Sequence, residues 1–363
     1  MQLQVTQENL SKALGTVGRV ANARGTLPVL ANVLIKTVEN RLSIAATNLD
    51  IGITHYIGAK VGEDGAITVP ARLMQDFVSS LPSGVIDLTL EDAKLRIVTE
   101  QYQSTINGVA ADEFPVMPAI TEGKTWKVNG AQLKASLQQI IMAASSDEAR
   151  PVLTGVFIHT VEGKLCMAAT DSYRLAEKVL MPLEESLSLL VPVSAMQDVL
   201  RIVNDFNDDV VVVSDEQQVL FRAGDVELVA RLIEGKYPDY RKLLPANFAV
   251  TATLKRADLL NVTKVSSLFA RESAGSITIH VDETTQQLSI RSVASQLGEN
   301  TATATAEIQG TGDITLNSRY LLDALHAISG ADVKFCFNGK LEPIVLTDPS
   351  DADYTHLIMP LKS

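Results

Sequence analysis

Apolar residues recur along this chain with two periods, and the change from one to the other marks out its elements. Leu10, Leu14, Val17 and Val20 fall on one helical face, as do Leu133, Leu137, Ile140 and Ile141 further on, and Leu259, Leu260, Val262, Val265 and Leu268 later still. A short strand, Leu3 to Val5, is expected before the first of these helices. Two strands follow it, Val33 to Thr37 and Leu42 to Ala46, joined at Glu39-Asn40, and the alternation in Leu42-Ser-Ile-Ala predicts a half-buried sheet. A proline, Pro70 or Pro192, then precedes a second helix, Met74 to Leu81 or Met196 to Val203. Three more strands are expected in Ile86 to Leu90, Leu95 to Val98 and Ser104 to Val109, with counterparts in Val210 to Val213, Val219 to Arg222 and Val226 to Leu232. The class is α+β, with few helices and many antiparallel strands.

The counterparts arise from an internal repeat. Pro28-Val-Leu-Ala-Asn-Val-Leu-Ile-Lys-Thr-Val-Glu-Asn-Arg-Leu-Ser-Ile-Ala-Ala-Thr47 lies over Pro151-Val-Leu-Thr-Gly-Val-Phe-Ile-His-Thr-Val-Glu-Gly-Lys-Leu-Cys-Met-Ala-Ala-Thr170, with 12 of 20 positions identical. Val69-Pro-Ala-Arg-Leu-Met-Gln-Asp76 and Val191-Pro-Val-Ser-Ala-Met-Gln-Asp198 recur at nearly the same offset, and Leu316-Asn-Ser-Arg-Tyr-Leu-Leu-Asp323 is a fainter third echo. Three copies fill the 363 residues. Phe114-Pro115 and Tyr237-Pro238 mark the linkers, so domains are expected over residues 1–120, 125–245 and 247–363.

Composition narrows the functional classes. Lys plus Arg number 31 against 43 Asp plus Glu, a formal charge of -12, and 46% of residues are hydrophobic, as in an acidic globular protein. The two cysteines, Cys166 and Cys336, each stand alone in an apolar run, which excludes a disulfide framework or thiolate zinc site and fits a reducing cytoplasm. Met1-Gln-Leu-Gln-Val-Thr has no basic or apolar leader character, and no stretch reaches the roughly 18 apolar residues of a membrane helix. No membrane role is expected. Catalytic spacings are also missing: there is no glycine-rich phosphate loop, no His-Glu-x-x-His and no nucleophile elbow. His55, His159, His280, His326 and His356 are scattered without partners at ligand spacing, so neither a metal nor another cofactor is expected. The aspartates of Asp208-Asp209 and Asp351-Ala-Asp353 suit turns. Asp171-Ser-Tyr-Arg174 differs, because a charged and aromatic group directly follows a strand end. It could serve a binding site or merely close a turn.

Net acidity argues against nucleic acid until the charge is divided by element. The six helical segments with their flanks, residues 7–24, 71–81, 130–150, 193–204, 255–271 and 318–329, hold 12 cations and seven anions, or +5, and the remainder carries -17. Helices turned to one side would present a basic face on an acidic body.

Four motifs in order resemble a known family, the bacterial DNA polymerase III beta subunit, or sliding clamp. Arg24-Gly-Thr-Leu-Pro-Val-Leu30 is similar to the family's Arg-x-Thr-Leu-Pro-Ile/Val-Leu, and Ala169-Thr-Asp-Ser-Tyr-Arg-Leu175 to its Ala-Thr-Asp-Gly/Ser-His/Tyr-Arg-Leu. Tyr237-Pro-Asp-Tyr-Arg-Lys-Leu-Leu-Pro245 resembles its Phe/Tyr-Pro-Asp-Tyr-x-x-x-Leu-Pro, and Leu357-Ile-Met-Pro-Leu361 its Val-Met-Pro-Met/Leu ending. The resemblance covers the whole chain. It implies three tandem clamp domains, each with two helices packed on antiparallel sheets, and a head-to-tail homodimer closed into a ring around double-stranded DNA. Such a ring is a non-catalytic processivity factor in the bacterial cytoplasm. It slides, so dispersed cations that attract phosphates suit it, whereas base contacts worth about 1 to 3 kcal/mol each would trap it.

The resemblance also assigns residues. Arg24, Lys12, Arg72, Lys134, Arg150 and Arg201 are the candidate DNA-facing cations, although Val193-Ser194 stands where the family has a basic pair. A peptide pocket between the second and third domains is implied, taking linear motifs of the clamp loader, replicative polymerase subunits, DNA ligase and mismatch-repair proteins. Its wall would come from Leu153, Thr170, Ser172, Tyr173, Arg174 and Leu175 of the second copy. Pro238, Lys242 and Leu243 of the linker would join them, with Leu341, Pro343, Met359, Pro360 and Leu361 of the third copy. Leucine, proline and methionine suit apolar anchors, and methionine adapts to several partners. At the dimer interface Ile106 would meet Leu268 and Phe269, with Ser104 where the family often has Phe. A protein-interaction scaffold that never touches DNA would also explain a pocket without catalysis, but it leaves the basic helices unexplained.

Overall fold

The computed structural model describes residues 1–21, 27–120, 122–294 and 298–361. Its six α-helices are α1 (Gln7–Val17), α2 (Ala71–Ser80), α3 (Gly130–Ile140), α4 (Val193–Ile202), α5 (Arg256–Phe269) and α6 (Ser318–Ala327). The chain divides into two compact units, one of residues 1–131 with 198–232 and the other of 132–197 with 233–363.

In the first unit a nine-stranded antiparallel sheet runs in the order Val109–Ala110, Ala66–Pro70, Asn32–Val38, Arg41–Thr47, Ile51–Gly58, Val226–Arg231, Gln218–Ala223, Asp209–Ser214, Lys124–Asn129. A five-stranded sheet runs Lys60–Glu63, Gln2–Thr6, Val85–Glu91, Lys94–Val98, Gln103–Asn107. Helix α1 packs on α2 and on the strands Arg41–Thr47 and Ile51–Gly58, burying Leu10, Leu14 and Val17 completely. Thr6 caps it, the hydroxyl accepting from the Asn9 amide at 3.4 Å, and the helix stops at Gly18 before Val20, which is buried from the turn beyond.

The second unit repeats this plan. Its nine-stranded sheet runs Ser188–Pro192, Gly155–Val161, Lys164–Thr170, Arg174–Pro182, Asp351–Ile358, Ile344–Asp348, Asp332–Phe337, Val250–Lys255, Glu307–Gln309, and its four-stranded sheet Gly298–Thr305, Gln287–Ala294, Ser276–Asp282, Gly312–Asn317. Helix α5 packs on α6 and on the strands Gly298–Thr305 and Gln287–Ala294.

Several sequence expectations are corrected here. The strands Ile51–Gly58 and Arg174–Pro182 were not expected, yet they join copies into continuous sheets. Ala230 to Val226 pairs with Ile51 to His55, and Arg174 to Lys178 with Ile358 to Tyr354. A repeat is therefore not a pairing unit: its edge strand is closed by the next copy. The helices after Pro70 and Pro192 start at once, at Ala71 and Val193, about one turn earlier than expected. Arg41–Thr47 is buried on both faces from Leu42 onward, so its alternation of large and small residues reflects room for packing and not exposure to water. The strand expected over Ser104 to Val109 divides at Gly108, and its two halves belong to different sheets. A Cβ at Gly108 would lie 2.5 Å from the Ile67 side chain and 2.6 Å from the Thr68 carbonyl, which is why glycine stands there.

Candidate functional site

The turn between Lys164–Thr170 and Arg174–Pro182 is built by side chains that replace backbone partners. Thr170 Oγ1 donates to the Arg174 carbonyl at 2.6 Å and accepts from the Ser172 amide at 3.1 Å. Asp171 Oδ1 accepts from the amides of Tyr173 and Arg174 at 2.9 and 3.0 Å. Ser172 thereby holds a left-handed φ of 78°. The first copy uses the same device, with Thr47, Asn48 and a left-handed Leu49 at 79°. The second copy has a carboxylate in place of Asn48, and its other oxygen takes the Arg174 Nε at 3.1 Å. Arg174 Nη1 reaches Asp323 on α6 at 2.5 Å, and its guanidinium stacks 4.7 Å from the Tyr320 ring centre. Arg174 is thus a brace between the turn and α6.

Beneath the turn the structure brings together Leu153, Ala168, Leu175, Leu190, Tyr237, Tyr240, Val345 and Leu357 in one buried cluster, with Met359 packed against it. Three expected pocket residues, Leu153, Leu175 and Met359, meet here. The Met359 amide donates to the Tyr173 carbonyl at 2.8 Å, which fastens the C-terminal strand to the turn. Ile344 pairs with Ile358, so Pro343 falls at the level of Met359. Leu243 and Leu341 are 51% and 70% exposed and Tyr173 is exposed beside the turn, the apolar surface a partner could cover. Thr170 is buried, Pro238 is exposed, and Pro360 and Leu361 are half-buried. Leu361 donates its amide to the Thr315 carbonyl at 2.8 Å. Lys242 is exposed and pairs with Asp239 at 2.8 Å. Arg150 donates to Ser172 Oγ at 3.0 Å and pairs with Asp147 at 3.5 Å, which places it at this turn.

Sequence reasoning missed the polar network that holds the linker under this cluster. The Tyr240 hydroxyl donates to Glu177 Oε2 and meets His159 Nε2 at 2.8 Å, and Arg241 bonds both Glu177 oxygens at 3.1 and 3.2 Å. Phe157 stacks between His159 and Tyr237 at 4.4 and 4.7 Å. Burial, and then the Glu177 charge, push the Tyr240 hydroxyl far above the ordinary phenol range, so it stays a proton donor at any physiological pH. The available signal was the aromatic pair in Tyr237-Pro-Asp-Tyr240. Tyr240→Phe leaves Glu177 Oε2 and His159 Nε2 short of a partner in a buried place and is expected to cost about 1 to 3 kcal/mol, read as a lowered urea midpoint at pH 7.5. An unchanged midpoint would mean that the network does not hold the linker.

The cations expected on the helices are dispersed. Lys12 and Arg201 line one cavity of the first unit together with Arg19. Arg72 projects from α2 into solvent, 3.8 Å from Asp76. Lys134 is half-buried on α3, and Arg24 lies outside the described residues. Within the observed helix limits the charge is smaller than expected. Lys12, Arg72, Lys134, Arg201, Arg256, Lys264 and Arg319 stand against Glu8, Asp76, Asp198, Asp258 and Asp323, a net of +2, because the helices are shorter and five of the cations lie in their flanks. Arg256 is further committed to the Gly330 and Leu325 carbonyls. Ile106 lies on the strand Gln103–Asn107. It is 6% exposed, already covered within its own unit, so its strand offers partners a backbone edge and the outward Gln103 and Thr105. Leu268 is exposed on α5 and Phe269 is half-buried.

Three sequence profiles of the DNA polymerase III beta subunit match this chain, the N-terminal domain over residues 1–118, the central domain over 127–239 and the C-terminal domain over 241–362. The chain belongs to the DNA polymerase III beta subunit family. A beta sliding clamp of Synechocystis sp. is 33% identical over 388 residues, covering 100% of this chain and 99% of that protein. A beta sliding clamp of Bacillus subtilis is 27% identical with 100% of both covered. Among solved structures, the DNA polymerase sliding clamp from Bacillus subtilis is similar with a TM-score of 0.96 at 26% identity, over 100% of this chain and 99% of that one. The Pseudomonas aeruginosa clamp solved bound to griselimycin has a TM-score of 0.95 at 25% identity, with both chains fully covered. Three tandem clamp domains are therefore the fold. The central clamp domain contributes to both compact units, with residues 132–197 in one and 198–232 in the other.

Proposed function

We propose that two copies of this chain close head to tail into a ring around duplex DNA and act there as a non-catalytic processivity clamp in the bacterial cytoplasm. The carrying observation is the placement of open sheet edges. Gln103–Asn107 ends the five-stranded sheet in the first third of the sequence, and Gly298–Thr305, an eight-residue strand, ends the four-stranded sheet in the last third. An edge that long is a template for another strand, and two different edges on one chain suit a closed head-to-tail pair. Leu268 and Phe269 on α5, which packs on Gly298–Thr305, would add apolar contact.

In this reading Lys12, Arg72, Lys134 and Arg201 face the phosphates without reading bases. The surface around Leu175, Met359, Leu243 and Leu341 takes short peptides of the clamp loader, the replicative polymerase, ligase and mismatch-repair proteins. Retention by topology differs from retention by affinity in one measurement. Loaded by its loader onto nicked circular DNA, the protein is expected to stay through salt that removes ordinary phosphate contacts, and to be lost once the circle is cut. Salt-sensitive release from intact circles would overturn the ring.

A further inference from the structure

The linker after the central domain contains one turn of 3₁₀ helix, Tyr240–Leu243. Tyr240 and Arg241 are fastened to the buried carboxylate of Glu177, and the Tyr240 hydroxyl also meets His159 Nε2. Lys242 and Leu243 are exposed. The backbone tightens the turn, the Tyr240 amide donating to the Pro238 carbonyl at 2.8 Å and the Leu244 amide to the Arg241 carbonyl at 3.1 Å. Side chains three apart in a 3₁₀ turn lie one above the other, so the place of exposed Leu243 follows from that of buried Tyr240. The first copy lays its own linker over the equivalent turn without this network. At an offset of 123, Lys36, Thr54, Met117 and Pro118 stand where the second copy has His159, Glu177, Tyr240 and Arg241. Met117 and Pro118 carry no side-chain donor, and they pack on Gly52, where a Cβ would meet Met117 Cε at 2.8 Å and Pro118 Cδ at 3.3 Å. Apolar contact therefore suffices to seat a linker in this fold. The second copy instead buries a carboxylate, costly unless it is fully paired, beneath the linker that carries Leu243. What such a network gives over apolar packing is one fixed geometry, which a binding surface needs more than the fold does.

We propose that Glu177 and Tyr240 are positioning residues for partner peptides: they hold the linker turn so that Leu243 is presented in one place, and they touch no peptide themselves. The proposal rests on the reading of the exposed Leu243 and Leu341 surface as the peptide site. Its specific consequence is that Tyr240 acts on a peptide through Leu243, three residues along the same turn, and not through Leu341 of the third copy.

Fluorescence polarisation of fluorescein-labelled Gln-Leu-Ala-Leu-Phe, a probe with apolar anchors, titrated with the full chain well below its melting temperature tests this. Leu243→Ser and Leu341→Ser are each expected to weaken the probe about tenfold or more. Tyr240→Phe should weaken it about tenfold in the otherwise unaltered chain and in the Leu341→Ser background, but less than about twofold in the Leu243→Ser background, a coupling that general loosening of the fold would not produce. Glu177→Gln still accepts from Tyr240 and should retain most of the affinity that Glu177→Ala loses. Where Tyr240→Phe folds poorly, Arg241→Gln gives the same cycle with the same expected coupling. Unchanged affinity in Tyr240→Phe, or an equal loss with and without Leu243, would overturn the proposal while leaving the peptide site standing. Full affinity in Leu243→Ser would remove that site, and the proposal with it.

Discussion

Lowering the pH from 7 to 5 is expected to cost this protein about 4 kcal/mol of stability before any carboxylate titrates, through two buried histidines. His356 is fully buried, its Nδ1 2.9 Å from the Tyr354 hydroxyl and its Nε2 without a partner. Burial, with a smaller contribution from the Arg174 charge, takes its ring from the ordinary 6.5 down to about 3. His55 falls to about 4 through burial, then Lys12, with Asp225 opposing and Arg41 reinforcing. Both rings are neutral in the folded chain, and both take a proton in the unfolded chain once the pH drops below about 6.5. The unfolded state then binds more protons, so stability falls with falling pH, from 6.5 down to about 4 for His55 and about 3 for His356. At pH 5 each ring contributes a loss of about 2 kcal/mol. Burial lowers His159 too, which acts in the same sense. Asp282, Asp313 and Asp348 have lowered values, so they stabilise above the ordinary carboxylate range and lose that contribution only at lower pH. Urea midpoints at pH 7, 6 and 5 should fall steadily. His356→Asn keeps a polar partner for Tyr354 and removes one titration, so its midpoint should fall roughly half as much. A midpoint flat between pH 7 and 5 would refute the account. The two histidines lie on strands that join copies, Ile51–Gly58 in one unit and Asp351–Ile358 in the other, so acid loosens each unit at its seam.

Those seams were the part of the fold hardest to read in sequence. Twelve identities in 20 positions make the repeat plain, and helical periodicity located α1, α3 and α5, although Val265 and Leu268 of the face expected for α5 are exposed. Alignment of copies cannot say which strand of one pairs with which of another, however, and the joining strands Ile51–Gly58 and Arg174–Pro182 went unseen even though Ile51, Ile53 and Ile57 alternate. The apolar half of the candidate pocket was legible, because Leu153, Leu175 and Met359 belong to motifs whose order along the chain is informative. Its polar half was not. Arg174 reads locally as a group waiting for a ligand, but its partner Asp323 is 149 residues away, and Tyr240 finds Glu177 at a separation of 63. Ile106 shows a related difficulty, being buried within its own unit. Alternation tells that a side chain faces away from water, but not whether its own sheet or another subunit covers it.

Replacing Leu243 and Leu341 together by Ser is expected to abolish stimulation of the replicative polymerase while leaving the fold intact. Both are more than half exposed, so they contribute little to stability, and a serine at each leaves no buried group unpaired. With both acting as hot-spot anchors of about 2 kcal/mol apiece, losing two should weaken a bound peptide by roughly a thousandfold if their contributions add. Leu175→Ala is the contrasting case. That residue is 2% exposed inside the cluster with Leu153, Tyr237 and Leu357, and its truncation should cost about 2 to 5 kcal/mol of folding free energy as well as peptide affinity. Arg174→Lys separates brace from ligand. A lysine cannot hold Asp171 and Asp323 at once in the geometry of a guanidinium, so the turn should loosen, and polymerase stimulation should fall with the melting temperature and not independently of it. Peptide affinity measured by fluorescence polarisation, beside melting temperature for the same variants, makes the distinction. Normal affinity in the Leu243 and Leu341 double variant would place the partner surface elsewhere, and a loss of affinity in Arg174→Lys at unchanged melting temperature would return Arg174 to the role of a direct contact.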